Sequence, residues 1–214
     1  MSLSILIADD HFPVRFGLEI LAREVLGNNT QIDFANDFLG IIDKIQQKKY
    51  DILISDIIMP GMDCMAMMKQ ALEILPKLKI LFVSVHPKEI FAPRYMNAGA
   101  YGYVCKTDPD EELRKAIRHI YLGKKYFANI YADEKGHHAS GKVNHTPFDL
   151  LSRREFSVMI MLLKGKGNIE IANALSLSPS TASTYRGRIF EKLKIRNLME
   201  LSNLARQYQI VIGE

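Results

Sequence analysis

The stretch DILISDIIMPGM, residues 51–62, holds the contradiction from which the fold can be read. Ile52, Leu53, Ile54 and Ser55 run with the apolar continuity of a strand covered on both faces. Asp56 ends the run, and Pro60-Gly61 then signals a turn. A charge is not buried without a partner. Asp56 is therefore either an ordinary strand end at the surface, or a carboxylate that the strand exists to deliver.

Working outward, the same alternation repeats. LSILIA (3–8) ends on Asp9-Asp10, QIDFA (31–35) is a second strand, KILFVSV (79–85) a fourth and YGYVC (101–105) a fifth. Between them lie segments with helical spacing: Val14, Leu18, Leu21 and Val25; then Phe38, Ile41, Ile42 and Ile45; then a Met- and Leu-rich run over 63–74; then a weaker helix over 88–97. Residues 108–123 predict a helix with Asp108 as N-cap, Pro109 at the first helical position, acids in the first turn and a stop at Gly123. Five such units predict an α/β fold, a doubly wound five-stranded parallel sheet with helices on both faces. Ligands of such sheets sit at the carboxyl ends of the strands.

Residues 124–147 are polar, with Gly136, Gly141 and Pro147, and read as a linker. Its His137, His138 and His145 have no cysteine or carboxylate at ligand spacing and read as a solvated loop. From Leu150 the pattern is all-helical. Ser152 and Glu155 form a capping box before a helix with Phe156, Met159, Ile160 and Leu163 on one face. Short helical patterns follow over 168–176, 180–194 and 198–209. The expected domains are 1–123, a linker 124–147, and a small all-α domain 148–214.

The chain has 214 residues, two cysteines and a net charge of +4. Residues 1–145 hold 18 Lys+Arg against 18 Asp+Glu, so the whole excess lies in residues 146–214, with 10 against 6. That asymmetry points to an anionic partner for the last third. Two unpaired-looking thiols, no membrane-length apolar run and no basic n-region lead to the expectation of a cytoplasmic protein without membrane contact.

The strand ends bring Asp9, Asp10, Asp56, Ser84 and Lys106 to one edge of the sheet. Converging carboxylates repel unless a cation is bound, and oxygen ligands favour a hard ion such as Mg²⁺. A carboxylate, a hard cation, an ammonium and a hydroxyl suit phosphoryl transfer onto the carboxylate. IADDH, ISDIIMPGMD, FVSVH and YGYVCKTD, in that order, resemble the receiver domain of two-component response regulators over residues 1–122, whose fold is flavodoxin-like. The resemblance implies that Asp56 accepts a phosphoryl group from a sensor histidine kinase. It implies that Asp9, Asp10, Asp56 and the backbone carbonyl of Ile58 hold Mg²⁺, that Ser84 and Lys106 hold the phosphoryl oxygens, and that Tyr103 is the switch aromatic. Cys64 departs from the family, which usually has Gly there, often to support a positive φ.

The C-terminal segment LSRREF, GKGNIEIA and STASTYRGRIFEKL resembles the LuxR-type four-helix domain of the NarL/FixJ class, with a helix-turn-helix whose recognition helix is 180–193. On its helical wheel Ala182, Ile189 and Leu193 face inward, and Ser180, Thr184, Gly187, Arg188 and Glu191 face outward. Ser183, Thr184, Arg186, Gly187, Arg188 and Lys192 are the expected DNA contacts. Relatives often carry Lys at the positions of Ser183 and Gly187; with small side chains here, phosphate contacts and DNA shape carry more of the recognition. Leu201, Leu204, Ala205 and Tyr208 form a stripe that suits either core or a dimer face.

The resulting expectation is a transcription regulator, not an enzyme. It works on double-stranded promoter DNA, receives its phosphoryl group from a histidine kinase, dimerises when phosphorylated, and has RNA polymerase as a further candidate partner. Two competitors remain at this point. A phosphoaspartyl phosphatase or transferase usually shows Asp-x-Asp after its first strand, which ADDHF does not supply. A receiver acting through protein contact alone does not account for the basic helical domain.

Overall fold

The computed structural model describes residues 3–60, 63–127, 146–208 and 210. The chain forms two compact units, one around a sheet and one made of the C-terminal helices.

Strands β1 (Ser4–Ala8), β2 (Gln31–Ala35), β3 (Ile52–Ser55), β4 (Lys79–Ser84) and β5 (Gly102–Cys105) are parallel, in the order β2-β1-β3-β4-β5. The chain turns to opposite sides of β1 on its way to β2 and β3, which makes this the switch point of a doubly wound sheet. Every residue of β1 and β3 is buried, because helices cover both faces. One alternate set, with Ile5, Ile7, Ile52, Ile54, Leu81 and Val104, packs on α1 (Phe12–Leu26) and α5 (Asp110–Tyr121) through Leu18, Ala22, Ala116, Ile117 and Ile120. The opposite face takes α2 (Phe38–Gln47), α3 (Cys64–Ile74) and α4 (Lys88–Ala98). All four expected apolar positions of α2 are buried, and Asp37 caps it by accepting from the Gly40 N–H at 2.6 Å.

Two local readings change. Asp108 is not the cap of α5: Pro109 occupies that position, and the Asp108 carboxylate instead accepts from the Cys105 N–H at 3.1 Å. Residues 124–147 open not as linker but with a sixth strand, β6 (Tyr126–Phe127), parallel to β5. Two residues are too short for a periodicity to reveal them. Tyr126 donates to Glu112 Oε2 at 2.5 Å, which fastens the strand to α5. His137, His138 and His145 lie outside the described residues.

Gly102 makes room for this strand. A Cβ there would lie 2.9 Å from each of Ile120 Cδ1, Leu81 Cδ1 and the backbone oxygen of Tyr126. The backbone oxygen cannot yield as a side chain does. Gly102→Ala should lower the free energy of unfolding by about 1–3 kcal/mol, read in urea denaturation; an unchanged midpoint would show that β6 is dispensable to the fold.

The C-terminal unit holds a 3₁₀ turn at Pro147–Leu150, then α6 (Arg153–Leu163), α7 (Asn168–Leu175), α8 (Pro179–Leu193) and α9 (Leu198–Gln207). The capping box forms: Ser152 Oγ accepts from the Glu155 N–H, and Glu155 Oε2 accepts from the Ser152 N–H at 2.7 Å. On α6 the buried face includes Val158 and Leu162 beside Phe156 and Met159, while Ile160 and Leu163 are only half-buried. Ala182, Ile189 and Leu193 are buried as the wheel requires. In the α9 stripe Leu201 and Ala205 are buried, and the half-buried Tyr208 sets its ring edge-on to Phe148.

Candidate functional site

Strand register builds the acidic site. Ala8 pairs with Ser55, so Asp9 and Asp56 leave the sheet side by side, and the Asp56 N–H donates to the Ala8 carbonyl at 2.9 Å. Ser84 pairs with Cys105, and the next residue, Lys106, donates its N–H to the Ser84 carbonyl at 2.7 Å. Residues distant in sequence are thereby held on neighbouring strand ends, where side-chain freedom is already restricted.

Asp9 is fully buried and Asp56 is 7% exposed. Both carboxylates accept from one ammonium: Lys106 Nζ lies 2.6 Å from Asp9 Oδ2 and 2.6 Å from Asp56 Oδ2. The other oxygen of Asp56 accepts from the Ile57 N–H at 2.5 Å and the Ile58 N–H at 3.3 Å. Burial pushes the Asp56 carboxyl above its usual range, and the attraction of Lys106 does not fully offset that. Burial works against the Lys106 ammonium, but Asp56 and Asp9 outweigh it and raise its pKa.

Asp10 stands at the mouth of the site, exposed, with His11 Nδ1 2.7 Å from its Oδ1. Asp9, Asp10 and His11 place ligand atoms within 4.8 Å of one another. The set is dominated by carboxylate oxygens, which fits a hard divalent cation. Arg15 Nη1 donates to the Asp9 carbonyl at 2.6 Å and holds the loop from below. Sequence reasoning passed over His11 and Arg15; the only signal for them was their nearness to the acidic pair.

Ser84 and Tyr103 are fully buried next to this cluster. The Tyr103 hydroxyl donates to the His86 carbonyl at 3.0 Å, and burial raises its pKa far above the ordinary phenol value. Cys64 causes no distortion. It is the first residue of α3, capped by the Asp63 side chain, and among the described residues only Ser176 and Lys194 have positive φ without being glycine. Burial, with Asp63 alongside, pushes its thiol well up, which keeps it an inert core residue.

In the helical unit, Ser183, Thr184, Gly187 and Arg188 are exposed on α8, and Ser180, Thr181, Thr184, Tyr185 and Arg188 line a shallow groove. Arg186 is half-buried, with its guanidinium 5.3 Å from the centre of the Phe190 ring. Lys192 is engaged inside the unit: its Nζ donates to Glu155 Oε2 at 2.6 Å. That carboxylate is 4% exposed, so the ammonium neutralises a charge that the fold has buried. Reading Lys192 as a surface base missed this, because the partner lies 37 residues away.

A parallel sheet with a buried Asp–Lys–Asp arrangement at its carboxyl edge, followed by a separate helix-turn-helix unit, defines a signalling protein of the receiver type joined to a DNA-binding module. Residues 5–118 match the response regulator receiver domain, and residues 149–205 match the bacterial regulatory proteins of the luxR family. The chain belongs to the response regulators built from these two parts, a family of DNA-binding transcription regulators rather than enzymes. It is 33% identical over 212 residues to the response regulator GacA of Pseudomonas aeruginosa, covering 98% of each chain. It is 30% identical over 213 residues to the response regulator UvrY of Escherichia coli K12, covering 99% of this chain and 97% of that one. In fold it is similar to RcsB of Salmonella enterica serovar Typhimurium bound to promoter P1flhDC in the presence of the phosphomimetic BeF3−, with a TM-score of 0.79, 23% identity and coverage of 99% and 100%. No described helix is long and apolar enough to cross a membrane.

Proposed function

We propose that the phosphorylation input of this regulator is Asp56 and that its output is promoter recognition through α8. The observation that carries the reading is the single Lys106 ammonium shared by the buried Asp9 and Asp56 carboxylates at 2.6 Å. In the transfer, an Asp56 oxygen attacks phosphorus, the bond from phosphorus to the kinase histidine or to a small acyl donor breaks, and that donor leaves with the bonding pair. Asp9, Asp10, Asp56 and the Ile58 carbonyl would hold Mg²⁺, which would spread the charge gathering on the transferred group. Lys106 would turn toward the new phosphoryl oxygens and Ser84 would donate to them, drawing on the same strand ends that carry Tyr103. The receiver domain would extend from 1–123 through β6 to Phe127, and the DNA-binding domain would take in Pro147 ahead of 148–214, in a cytoplasmic protein that dimerises on DNA when phosphorylated, with RNA polymerase a further partner.

The test is DNA binding by the full chain, with and without acetyl phosphate and Mg²⁺, read against salt. Affinity should rise on phosphorylation and fall as salt increases. Arg188→Ala should weaken binding on all sequences and reduce the slope of log affinity against log salt by about 1. An affinity unchanged by acetyl phosphate would leave a constitutive DNA-binding protein and remove Asp56 from control of it.

A further inference from the structure

Ser84 is the last residue of β4, and His86 stands two residues on, in the bend that follows the strand. Both are buried, His86 to 2% exposure. Ser84 Oγ lies 3.0 Å from His86 Nδ1, and the Tyr103 hydroxyl donates to the His86 carbonyl at 3.0 Å. His86 thus meets the Ser84 hydroxyl with its ring and the Tyr103 hydroxyl with its backbone carbonyl.

The protons decide what the ring does. Ser84 has one proton to donate, and a phosphoryl group near neutral pH offers chiefly acceptor oxygens. If Nδ1 were the acceptor, it would keep the Ser84 proton turned inward. If Nδ1 carries hydrogen, the ring donates to Ser84 Oγ, and the serine proton is left for an acceptor on Asp56. Such chains of hydrogen bonds strengthen one another in a dry interior.

We propose that His86 is a positioning residue for phosphoryl recognition: its Nδ1–H orients the Ser84 hydroxyl while its carbonyl anchors the Tyr103 phenol, so one residue ties the phosphoryl contact to the position of the ring. This rests on the reading of Asp56 as phosphoacceptor. The arrangement makes His86 the mechanical link between input and strand β5, without itself touching the reacting atoms.

The experiment uses the full chain as wild type, His86→Leu and His86→Asn, each compared by circular dichroism. Asparagine keeps an N–H donor near the place of Nδ1; leucine does not. The readout is the ratio of DNA affinity with and without acetyl phosphate and Mg²⁺. His86→Leu should lower that ratio roughly tenfold, the size of one hydrogen bond to a charged group, and His86→Asn should restore most of it. A ratio kept within about twofold in His86→Leu, or an asparagine variant no better than leucine with both folded, overturns the proposal. A second measurement needs no variant activity: ¹⁵N shifts of the His86 ring in unphosphorylated protein, assigned by difference from His86→Asn. The Nδ1–H tautomer supports the proposal and the Nε2–H tautomer overturns it. Wild type that takes up no phosphoryl group would defeat the Asp56 reading instead, and the tautomer would still decide the Ser84 hydrogen bond.

Discussion

Asp56→Asn is expected to take the phosphoryl group from acetyl phosphate in no measurable amount, where the wild-type chain takes about one per molecule in the presence of Mg²⁺. The amide nitrogen is no nucleophile, and Asn also withdraws the negative charge that faces Lys106 at 2.6 Å. Intact-mass analysis reads the result directly. Label retained on another side chain would move the acceptor away from Asp56. The same variant carries a second expectation of opposite sign. Burial raises the Asp56 carboxyl pKa, even against the pull of Lys106. The folded state therefore disfavours the ionised form, a penalty fully present above the folded pKa. It fades as pH falls through that value and is gone below the unfolded one, about 3.9. Asp56→Asn should accordingly melt at the same or a higher temperature than wild type at pH 7, with the gap closing in acid. A lower melting point at neutral pH would contradict the direction of that shift. Function and stability thus pull apart at this residue, as expected where a carboxylate is kept in a dry place for chemistry.

Lys192→Met is expected to cost about 3 kcal/mol in the helical unit, because it leaves the Glu155 carboxylate buried without its counter-charge. For a unit of this size that is a drop of ten degrees or more, roughly, in thermal unfolding. Glu155→Gln should cost less, since Lys192 is 39% exposed and can return to water. Glu155→Leu combined with Lys192→Met should recover most of the loss, because no charge is then left buried. A single Lys192→Met variant as stable as wild type would show the pair to be idle. Burial works to raise the Glu155 pKa, but Lys192 and the Ser152 hydrogen bonds outweigh it and hold it below the usual carboxylate range. A depressed pKa stabilises the fold above the unfolded value, about 4.3, and that support is lost as pH falls through the folded one. The C-terminal helices should therefore keep this support down to about pH 4.3 and lose it only in stronger acid. DNA affinity lost in Lys192 variants would reflect loosening of these helices before any missing phosphate contact.

Much of this molecule is legible in one dimension because its signals are local. The continuous apolar run of 52–55, the 3.6-residue spacing of Phe38, Ile41, Ile42 and Ile45, and the Ser152–Glu155 box depend on neighbours a few residues apart. They placed the strands and most helices, and with them the strand ends where Asp9, Asp56, Ser84 and Lys106 meet. What escaped was of two kinds. Asp108 and β6 escaped because capping and a two-residue strand are settled by backbone geometry and an already folded edge. Lys192 escaped because its partner Glu155 lies across space, 37 residues away in sequence.

The residue pattern alone determined a parallel sheet, a carboxylate at its edge and a basic helical end, since burial and periodicity follow from composition along the chain. Only the tertiary structure decided which charges meet. The Ala8–Ser55 register sets Asp9 beside Asp56, and the packing of α6 on α8 turns Lys192 inward to Glu155. Hydrophobic burial is nondirectional and can be summed along a sequence. Hydrogen bonds and ion pairs act within about 3 Å, and that distance exists only after the chain has folded.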